Sequence, residues 1–298
     1  MTAAAPRHAG AFLTIDLKAI VANWRLLSAR LGGAACAAVV KADAYGLGAA
    51  AVSSALETAG CRAFFVALPE EGAKVRQAVS DWSRIFVLNG TPQGAEADFV
   101  ARSLGPVVNT MGELAAWRAH AARSGRRLTV ALQLDTGMSR LGLTPADTAS
   151  IAADPVLLEG LAVELVLSHL ACADEPDHPG NAAQLEAFRR MRAELPPAPA
   201  SLANSSGIFL GAAYYFDLAR PGAALYGINP TPWAANPMRS AVRLSARVVQ
   251  LRDVSAGTGV GYGHAASTPR PSRLATISLG YADGWPRNAM AAAFFRGA

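Results

Sequence analysis

The amino-acid sequence predicts an α/β protein, a (β/α)8 barrel followed by an incomplete, mainly β domain. Two observations predict the barrel: eight short apolar runs recur along the first part of the chain, and segments of helix-forming composition separate them. A third observation predicts the second domain. After the Pro- and Asn-rich stretch at 229–237, apolar and polar residues alternate with a period of two, which is typical of antiparallel strands.

The apolar runs predict strands that are buried on both faces, because they are short, apolar and bounded by turn residues. They lie at 36–42, 63–68, 85–89, 105–109, 128–135, 163–169, 200–205 and 215–220. Eight alternations of strand and helix favour a closed parallel barrel with the helices outside, as in a TIM barrel. A doubly wound open sheet is the structural alternative.

Amphipathic segments at 69–79, 110–125 and 181–195 predict three of the helices. The last segment opens at Asn181 and ends before a double proline, which are typical helix start and stop signals.

We expect the barrel domain to span 1–237, with an N-terminal strand at about 11–16, and the β-rich domain to span 238–298. The second domain shows strand patterns around a Gly-rich turn, AGTGVGYG, but the pattern stops before a closing strand. We therefore expect this sequence to hold only the start of that domain.

Composition excludes several classes of protein. The net charge of +5 is spread along the chain, so we expect no nucleic-acid binding, and a small anionic ligand fits the excess better. No apolar run is long enough for a membrane span and no signal peptide is evident, so we expect a cytoplasmic protein. Cys36, Cys61 and Cys172 are too scattered for a disulfide framework and are interpreted as buried thiols.

Lys41 stands at the end of the first predicted barrel strand, in CAAVVKADAYGLG. The active site of such a barrel lies at the C-terminal ends of its strands, where His169, Asn204 and Arg220 are also expected. A buried ammonium tends to lose its proton and become a nucleophile that can form a Schiff base. The alternative is a lysine at the rim whose ammonium reaches water.

A phosphate site is predicted at the ends of the last two strands. There Ser205 and Ser206 open a predicted helix, and Gly222 follows Pro221. Backbone N–H groups at a helix start together with a hydroxyl bind phosphate, although a simple N-cap and a tight turn would give the same pattern. A lysine and a phosphate site at one barrel rim are what pyridoxal 5'-phosphate (PLP) requires.

The sequence from Thr14 to Arg287 resembles the alanine racemase family of PLP-dependent isomerases. The matching segments are TIDLKAIVANW, AVVKADAYGLG, LDTGMSRLG, LSHLACADEPDHP, ANSSGIF, FDLARPGAALYG, GVGYG and GYADGWPR. The resemblance implies that Lys41 holds PLP covalently and acts as the base on one face of the substrate. It implies that Tyr45, Ser205 and the backbone of Gly222 and Ala223 bind the phosphate.

The resemblance also assigns two arginines. Arg220 would face the pyridine nitrogen, and because a guanidinium has no acceptor, that nitrogen would stay unprotonated and the ring would be a weaker electron sink. Arg140 would bind the phenolic oxygen of the cofactor and the substrate carboxylate. Asn204 is counted with the cofactor-binding residues. Gln133 stands where many family members have a lysine, and its neutral amide could orient Arg140.

Racemisation needs a second base on the opposite face of the substrate. By the resemblance this is Tyr262, which would act in the site of a partner subunit, so a homodimer is expected. Tyr281 would line the entrance to the partner's site. His169 would act as a relay beside Arg220; without the family it would be interpreted as a core histidine.

The substrate implied by the resemblance is alanine, with a role in D-alanine biosynthesis for peptidoglycan or in alanine catabolism. No metal is expected, because His169, Cys172, Asp174 and His178 do not have zinc-ligand spacing. The alternative function is that of a non-catalytic PLP-binding or homeostasis protein of the same barrel fold. Tyr262 and the second domain favour the racemase, and a decarboxylase of this fold is a more distant possibility.

Overall fold

The computed structural model describes residues 8–286. Within that range the chain divides into two compact units. One is Asp16–Ala241, and the other consists of the described parts of Met1–Ile15 and Val242–Ala298. Strand β1 (Ala11–Ile15) belongs to the second of these units, although the sequence placed it with the barrel. The boundary predicted at residue 238 stays a prediction.

The unit Asp16–Ala241 contains the predicted barrel. Its strands are β2 (Ala35–Cys36), β3 (Ala38–Val39), β4 (Ala63–Val66), β5 (Arg84–Val87), β6 (Gly105–Val108), β7 (Leu128–Gln133), β8 (Leu161–Leu167), β9 (Ala200–Ser201) and β10 (Leu218–Ala219). Strands β3 to β9 form one parallel sheet in sequence order. Strand β10 pairs in parallel with β2, and the Asp217 N–H donates to the Ala200 carbonyl at 3.0 Å, which brings the last strand beside β9. The ring is therefore closed, with β2 and β3, which Ala37 alone separates, as two parts of its first strand, and the predicted (β/α)8 barrel is confirmed.

The helices lie between the strands. They are α1 (Leu17–Arg30), α2 (Lys41–Gly46), α3 (Ala49–Ala59), α4 (Pro69–Arg76), α5 (Glu96–Ala101), α6 (Met111–Ser124), α7 (Pro145–Ala153) and α8 (Pro179–Ala193). No helix in the described range is long and apolar enough to cross a bilayer. The barrel interior is filled by apolar side chains, among which the Phe65 and Phe86 rings stack with centroids 4.8 Å apart.

Two predicted helix starts are wrong. Helix α8 begins at Pro179, two residues before Asn181, because the His178 side chain accepts the Gly180 N–H and a proline fits the first helical position. The helix predicted to open at Ser205 and Ser206 is a single 3-10 turn, Gly207–Phe209, which the Ser206 side chain does not cap.

The second unit is mainly β, as predicted. After β1 come β11 (Val242–Ala246), β12 (Val248–Val254), β13 (Gly259–Val260), β14 (Ala266–Ser267) and β15 (Ser272–Ile277). The three strand pairs in the described part of this unit are antiparallel: β1 with β11, β12 with β15, and β13 with β14. Residues 287–298, the end of the predicted β domain, lie outside the described residues.

Candidate active site

Lys41 is the first residue of α2, two positions after the C-terminal residue of β3, and it is half-buried. The four residues that follow, 42–45, have φ values of 52° to 58° and form a left-handed turn. None of them is glycine, and each such residue costs about 1–2 kcal/mol relative to a right-handed helix. Contacts from the rest of the fold must therefore impose this conformation.

Two carboxylates hold the turn. Glu71 Oε1 accepts the Ala42 N–H at 2.6 Å, and Asp43 Oδ1 accepts the Ala49 N–H at 2.9 Å. The first bond fixes the beginning of the turn to α4, and the second fixes Asp43, its second residue, to the start of α3. The backbone that carries Lys41 is thus held between two helices.

A small polar cradle lies where Tyr45 meets the loop after β10. Ser205 Oγ accepts the N–H groups of Gly222 at 3.0 Å and Ala224 at 3.2 Å. A Cβ atom on Gly222 would lie 2.6 Å from Tyr45 Oη and 3.2 Å from Val39 Cβ, so a side chain there would fill the cradle. The hydroxyls of Tyr45 and Ser205 lie here beside backbone N–H groups that donate to Ser205 Oγ, and hydroxyls and N–H groups together form a donor set suited to phosphate oxygens. Ala223 begins the 3-10 turn Ala223–Tyr226 beside it.

Arg220 is buried at the same end of the barrel. Its Nη1 donates to Ser201 Oγ and its Nη2 to the Ser168 carbonyl, and the guanidinium lies 5.8 Å from the centre of the Phe65 ring. Burial lowers the pKa of Arg220 to about 10, so the side chain is protonated at neutral pH. Among residues 8–286 no carboxylate forms an ion pair with it.

His169 lies among positive charges. Burial, followed by the charges of Arg220, Arg140 and Lys41, lowers the pKa of His169 to about 3, so its imidazole is neutral at physiological pH. Arg140 is exposed on the loop between β7 and α7. The rim thus gathers three cations around a neutral histidine, which is an environment for an anionic ligand.

The amide side chains of Asn204 and Gln133 form hydrogen bonds with the backbone. Asn204 is engaged with backbone, because its Nδ2 donates to the Leu170 carbonyl at 3.1 Å and its Oδ1 accepts the Gly207 N–H at 2.9 Å. Gln133 Nε2 donates to the Leu141 carbonyl at 3.2 Å and so supports the loop that carries Arg140. The cofactor role of Asn204 stays a prediction.

Tyr262 and Tyr281 belong to the second unit, where each begins a 3-10 turn. Their exposed fractions, 81% for Tyr262 and 67% for Tyr281, are large for aromatic residues. Both phenol rings are therefore accessible to another molecule.

Family models match nearly the whole chain. The model described as "Alanine racemase, N-terminal domain" matches residues 15–230, and the one described as "Alanine racemase, C-terminal domain" matches residues 241–298. The chain belongs to the alanine racemase family.

Individual family members are also similar over most of the chain. A catabolic alanine racemase of Mesorhizobium japonicum is 57% identical, with 97% of this chain and 76% of that protein covered. An alanine racemase of Rhodospirillum rubrum is 50% identical over 95% of this chain and 76% of its own length. The crystal structure of a Bartonella henselae alanine racemase with covalently bound pyridoxal phosphate matches with a TM-score of 0.88 and 43% identity. The match covers 94% of this chain and 78% of the Bartonella henselae chain.

The structure adds two polar side chains that the sequence analysis missed. Glu71 binds the turn after Lys41, and Gln184, buried in α8, accepts the Ala171 N–H at 2.8 Å and donates to the His169 carbonyl at 2.9 Å. The sequence signal for Gln184 was weak: it is an amide that directly precedes Leu185, an apolar residue of the amphipathic segment that forms α8. Glu71 gives the weaker signal of an acidic residue in a first helical turn, which is common.

The cysteines and the possible metal ligands form no further site. Cys36 and Cys61 are free and buried, and burial raises the pKa of both thiols, whereas Cys172 is partly exposed. No group of three His, Cys, Asp or Glu residues in the part of the chain that the structure describes could hold a metal ion.

Proposed function

We propose that this chain interconverts L-alanine and D-alanine with PLP held covalently on Lys41. The observation that carries the proposal is the barrel rim, where Lys41 and two arginines surround neutral His169 close to the cradle of Tyr45, Ser205 and Gly222. The cradle would accept a phosphate and the cations an anionic cofactor and substrate, so the residues present fit PLP. The family membership and the Bartonella henselae structure with covalently bound pyridoxal phosphate support the same cofactor.

Each side chain has a proposed task. Tyr45, Ser205 and the backbone of Gly222 and Ala223 bind the phosphate, and Arg220 faces the pyridine nitrogen. When bound, PLP withdraws electrons from the α-carbon of the amino acid and makes its hydrogen acidic. Arg220, fixed by two neutral oxygen acceptors, cannot accept a hydrogen bond from a protonated ring nitrogen, so that nitrogen would stay unprotonated and the withdrawal would stay moderate.

Arg140 and Tyr281 act on the substrate. The exposed guanidinium of Arg140 can bind a carboxylate in a bidentate manner, and Tyr281 lines the entrance to the site of a partner subunit. His169, which is neutral, transmits the effect of the Arg220 charge to Tyr262, the second base of the reaction.

Two bases are required because one base on one face would return the proton to the same side. Lys41 takes the proton from one face, and Tyr262 of a second subunit works on the other. The large exposed fraction of Tyr262 supports a role in a neighbouring copy of the chain, and hence a homodimer. A cytoplasmic location and a role in D-alanine supply for peptidoglycan are parts of the same proposal.

The non-catalytic PLP-binding alternative has no second base, and the match to the racemase C-terminal domain, which includes Tyr262, favours the racemase. Exchange of the α-hydrogen with deuterated solvent separates the two functions. In the Tyr262→Phe variant, net racemisation should fall by roughly a hundred to ten thousand times, the usual effect of losing a general base. D-alanine should still exchange through Lys41, and L-alanine far more slowly.

Tyr214→Phe is the matched control, since it removes a phenolic hydroxyl from the other unit, and it should leave both rates unchanged. Equal exchange of the two enantiomers in Tyr262→Phe would show that one base serves both faces. Absence of racemisation in the wild-type protein, with PLP bound, would favour the alternative function.

A further inference from the structure

The carboxylate of Glu71 joins two loops at the active-site end of the barrel. Its Oε2 accepts the N–H groups of Ala67 at 2.8 Å and Leu68 at 3.2 Å, in the loop between β4 and α4. Its Oε1 accepts the Ala42 N–H at 2.6 Å, in the residue that follows Lys41. One side chain therefore uses both oxygens, one for each loop.

Helix capping accounts for only one side of this arrangement. Glu71 is the third residue of α4, and an acidic residue at that position commonly accepts an N–H group at the start of its own helix. Two other helices show the ordinary form: Asp147 accepts the Thr144 N–H at 2.8 Å in α7, and Glu113 accepts the Asn109 N–H at 2.6 Å in α6. Glu71 does the same and in addition reaches Ala42, 29 positions away in the sequence.

The bond to Ala42 lies where the left-handed turn begins. Strained turns of non-glycine residues persist when surrounding contacts over-determine them, and the bond to Glu71 ties this one to α4. Its loss would release the backbone immediately after Lys41. The direction in which the Lys41 side chain leaves the barrel would then vary.

We propose that Glu71 is a positioning residue for the alanine racemase reaction, which clamps the left-handed turn and thereby fixes Lys41 toward PLP. The proposal rests on the proposed function, in which Lys41 carries the cofactor. Glu71 acts through the backbone of Ala42 and needs no contact with substrate or cofactor.

Two substitutions distinguish the bond of Glu71 to Ala42 from its bonds to Ala67 and Leu68 at the start of α4. Glu71→Asp keeps the charge and can cap α4 as Asp147 caps α7, but it is one methylene too short to reach Ala42 as well. Glu71→Gln keeps the length but has one acceptor oxygen, so its amide nitrogen must face one of the two loops as a donor. Glu113→Gln is the matched control, since it weakens the equivalent cap in α6 and leaves Glu71 in place.

The first measurement is amide hydrogen exchange of residues 43–48 in cofactor-free protein, with the melting temperature of each variant recorded beside it. We expect both Glu71 variants to exchange this segment roughly ten to a hundred times faster than the wild type, the usual effect of losing a hydrogen bond to a charged group. Glu113→Gln should exchange it at the wild-type rate.

The second measurement uses the reconstituted enzymes. The Glu71 variants should lose PLP faster on gel filtration. They should also show a lower kcat with a nearly unchanged KM for alanine, because the position of Lys41 is affected and the groups that bind the substrate are not. Exchange and PLP loss at wild-type rates in both variants would overturn the proposal, as would the same acceleration in Glu113→Gln. If wild-type Lys41 carries no PLP, the proposed function fails, while the exchange data still decide whether Glu71 holds the turn.

Discussion

The two ends of the barrel compensate the charge of an arginine in opposite ways. At the C-terminal ends of the strands, Arg220 donates to neutral oxygens of Ser201 and Ser168. At the N-terminal ends, Arg84, whose side chain is 47% exposed, forms an ion pair with Glu164, whose side chain is 16% exposed. The charge of Arg84 is neutralised within the protein, and the charge of Arg220 is not.

The difference shows which end of the barrel is built for a ligand. A buried cation without a counter-ion is costly to the fold, and such groups concentrate at functional sites. The same rim holds Lys41 and Arg140, whose charges act with that of Arg220 on His169. We therefore expect changes at the C-terminal end to affect mainly the cofactor, and changes at the N-terminal end mainly stability.

Replacing each arginine by methionine tests the comparison most strongly. Arg220→Met should weaken PLP binding roughly 10- to 100-fold, because a buried charged donor is lost. Arg84→Met should lower the free energy of unfolding by about 0.5–1 kcal/mol, because Glu164 loses a partly exposed partner, and should leave PLP binding unchanged. Equilibrium binding of PLP and urea unfolding of both variants measure the two effects; a loss of PLP affinity in Arg84→Met would remove the distinction between the two ends.

The pH dependence of stability provides a second test at the C-terminal end. The pKa of His169 is about 3 in the folded protein and near 6.5 when unfolded, so between these values the unfolded state binds the extra proton. Stability should therefore fall as the pH is lowered from 6.5 toward 3, with a slope from this residue of at most about 1.4 kcal/mol per pH unit.

Urea unfolding at pH 7, 6 and 5 measures that slope, and His169→Gln should reduce it. His120→Gln, a change on α6, is the matched control and should keep the wild-type slope. Parallel curves for the wild type and His169→Gln would mean that the positive rim does not hold His169 in the neutral form.

Two glycines give the smallest effects. A Cβ at Gly222 would meet Tyr45 Oη at 2.6 Å, whereas one at Gly105, at the other end, would meet Phe86 Cδ1 at 3.0 Å and Glu164 Oε1 at 3.2 Å. Gly222→Ala should reduce PLP affinity by about 1 kcal/mol, since the end of the tyrosine side chain can move. Gly105→Ala should instead lower the melting temperature and leave PLP affinity unchanged; the reverse pattern would contradict the comparison.

The fold could be predicted from the sequence because each buried barrel strand is an apolar run, and the parallel strands follow one another along the chain. The strand that pairs with β1 could not be predicted, since β11 begins more than two hundred residues later and nothing local in the sequence specifies that pairing. Asn181 and Ser205 both look like helix caps, yet His178 caps α8, and Ser205 binds backbone 17 residues away.

The candidate site shows the same limit. The side chains that gather at the rim follow from their positions at strand ends, so Lys41, His169 and Arg220 could be predicted to lie together. The left-handed turn at 42–45 could not be predicted, because alanine and tyrosine rarely adopt positive φ, and because Glu71, which helps to hold the turn, lies on another helix. The chemical roles of these residues remain predictions.

Borohydride reduction followed by peptide mapping tests the central claim most directly. The sequence has three lysines: Lys41 at the cationic rim, and the exposed Lys18 and Lys74 on helices α1 and α4. Incubation with PLP and reduction should place the phosphopyridoxyl label on the peptide that contains Lys41, with loss of racemase activity in proportion to labelling. Label on Lys18 or Lys74 with Lys41 unmodified would contradict the account.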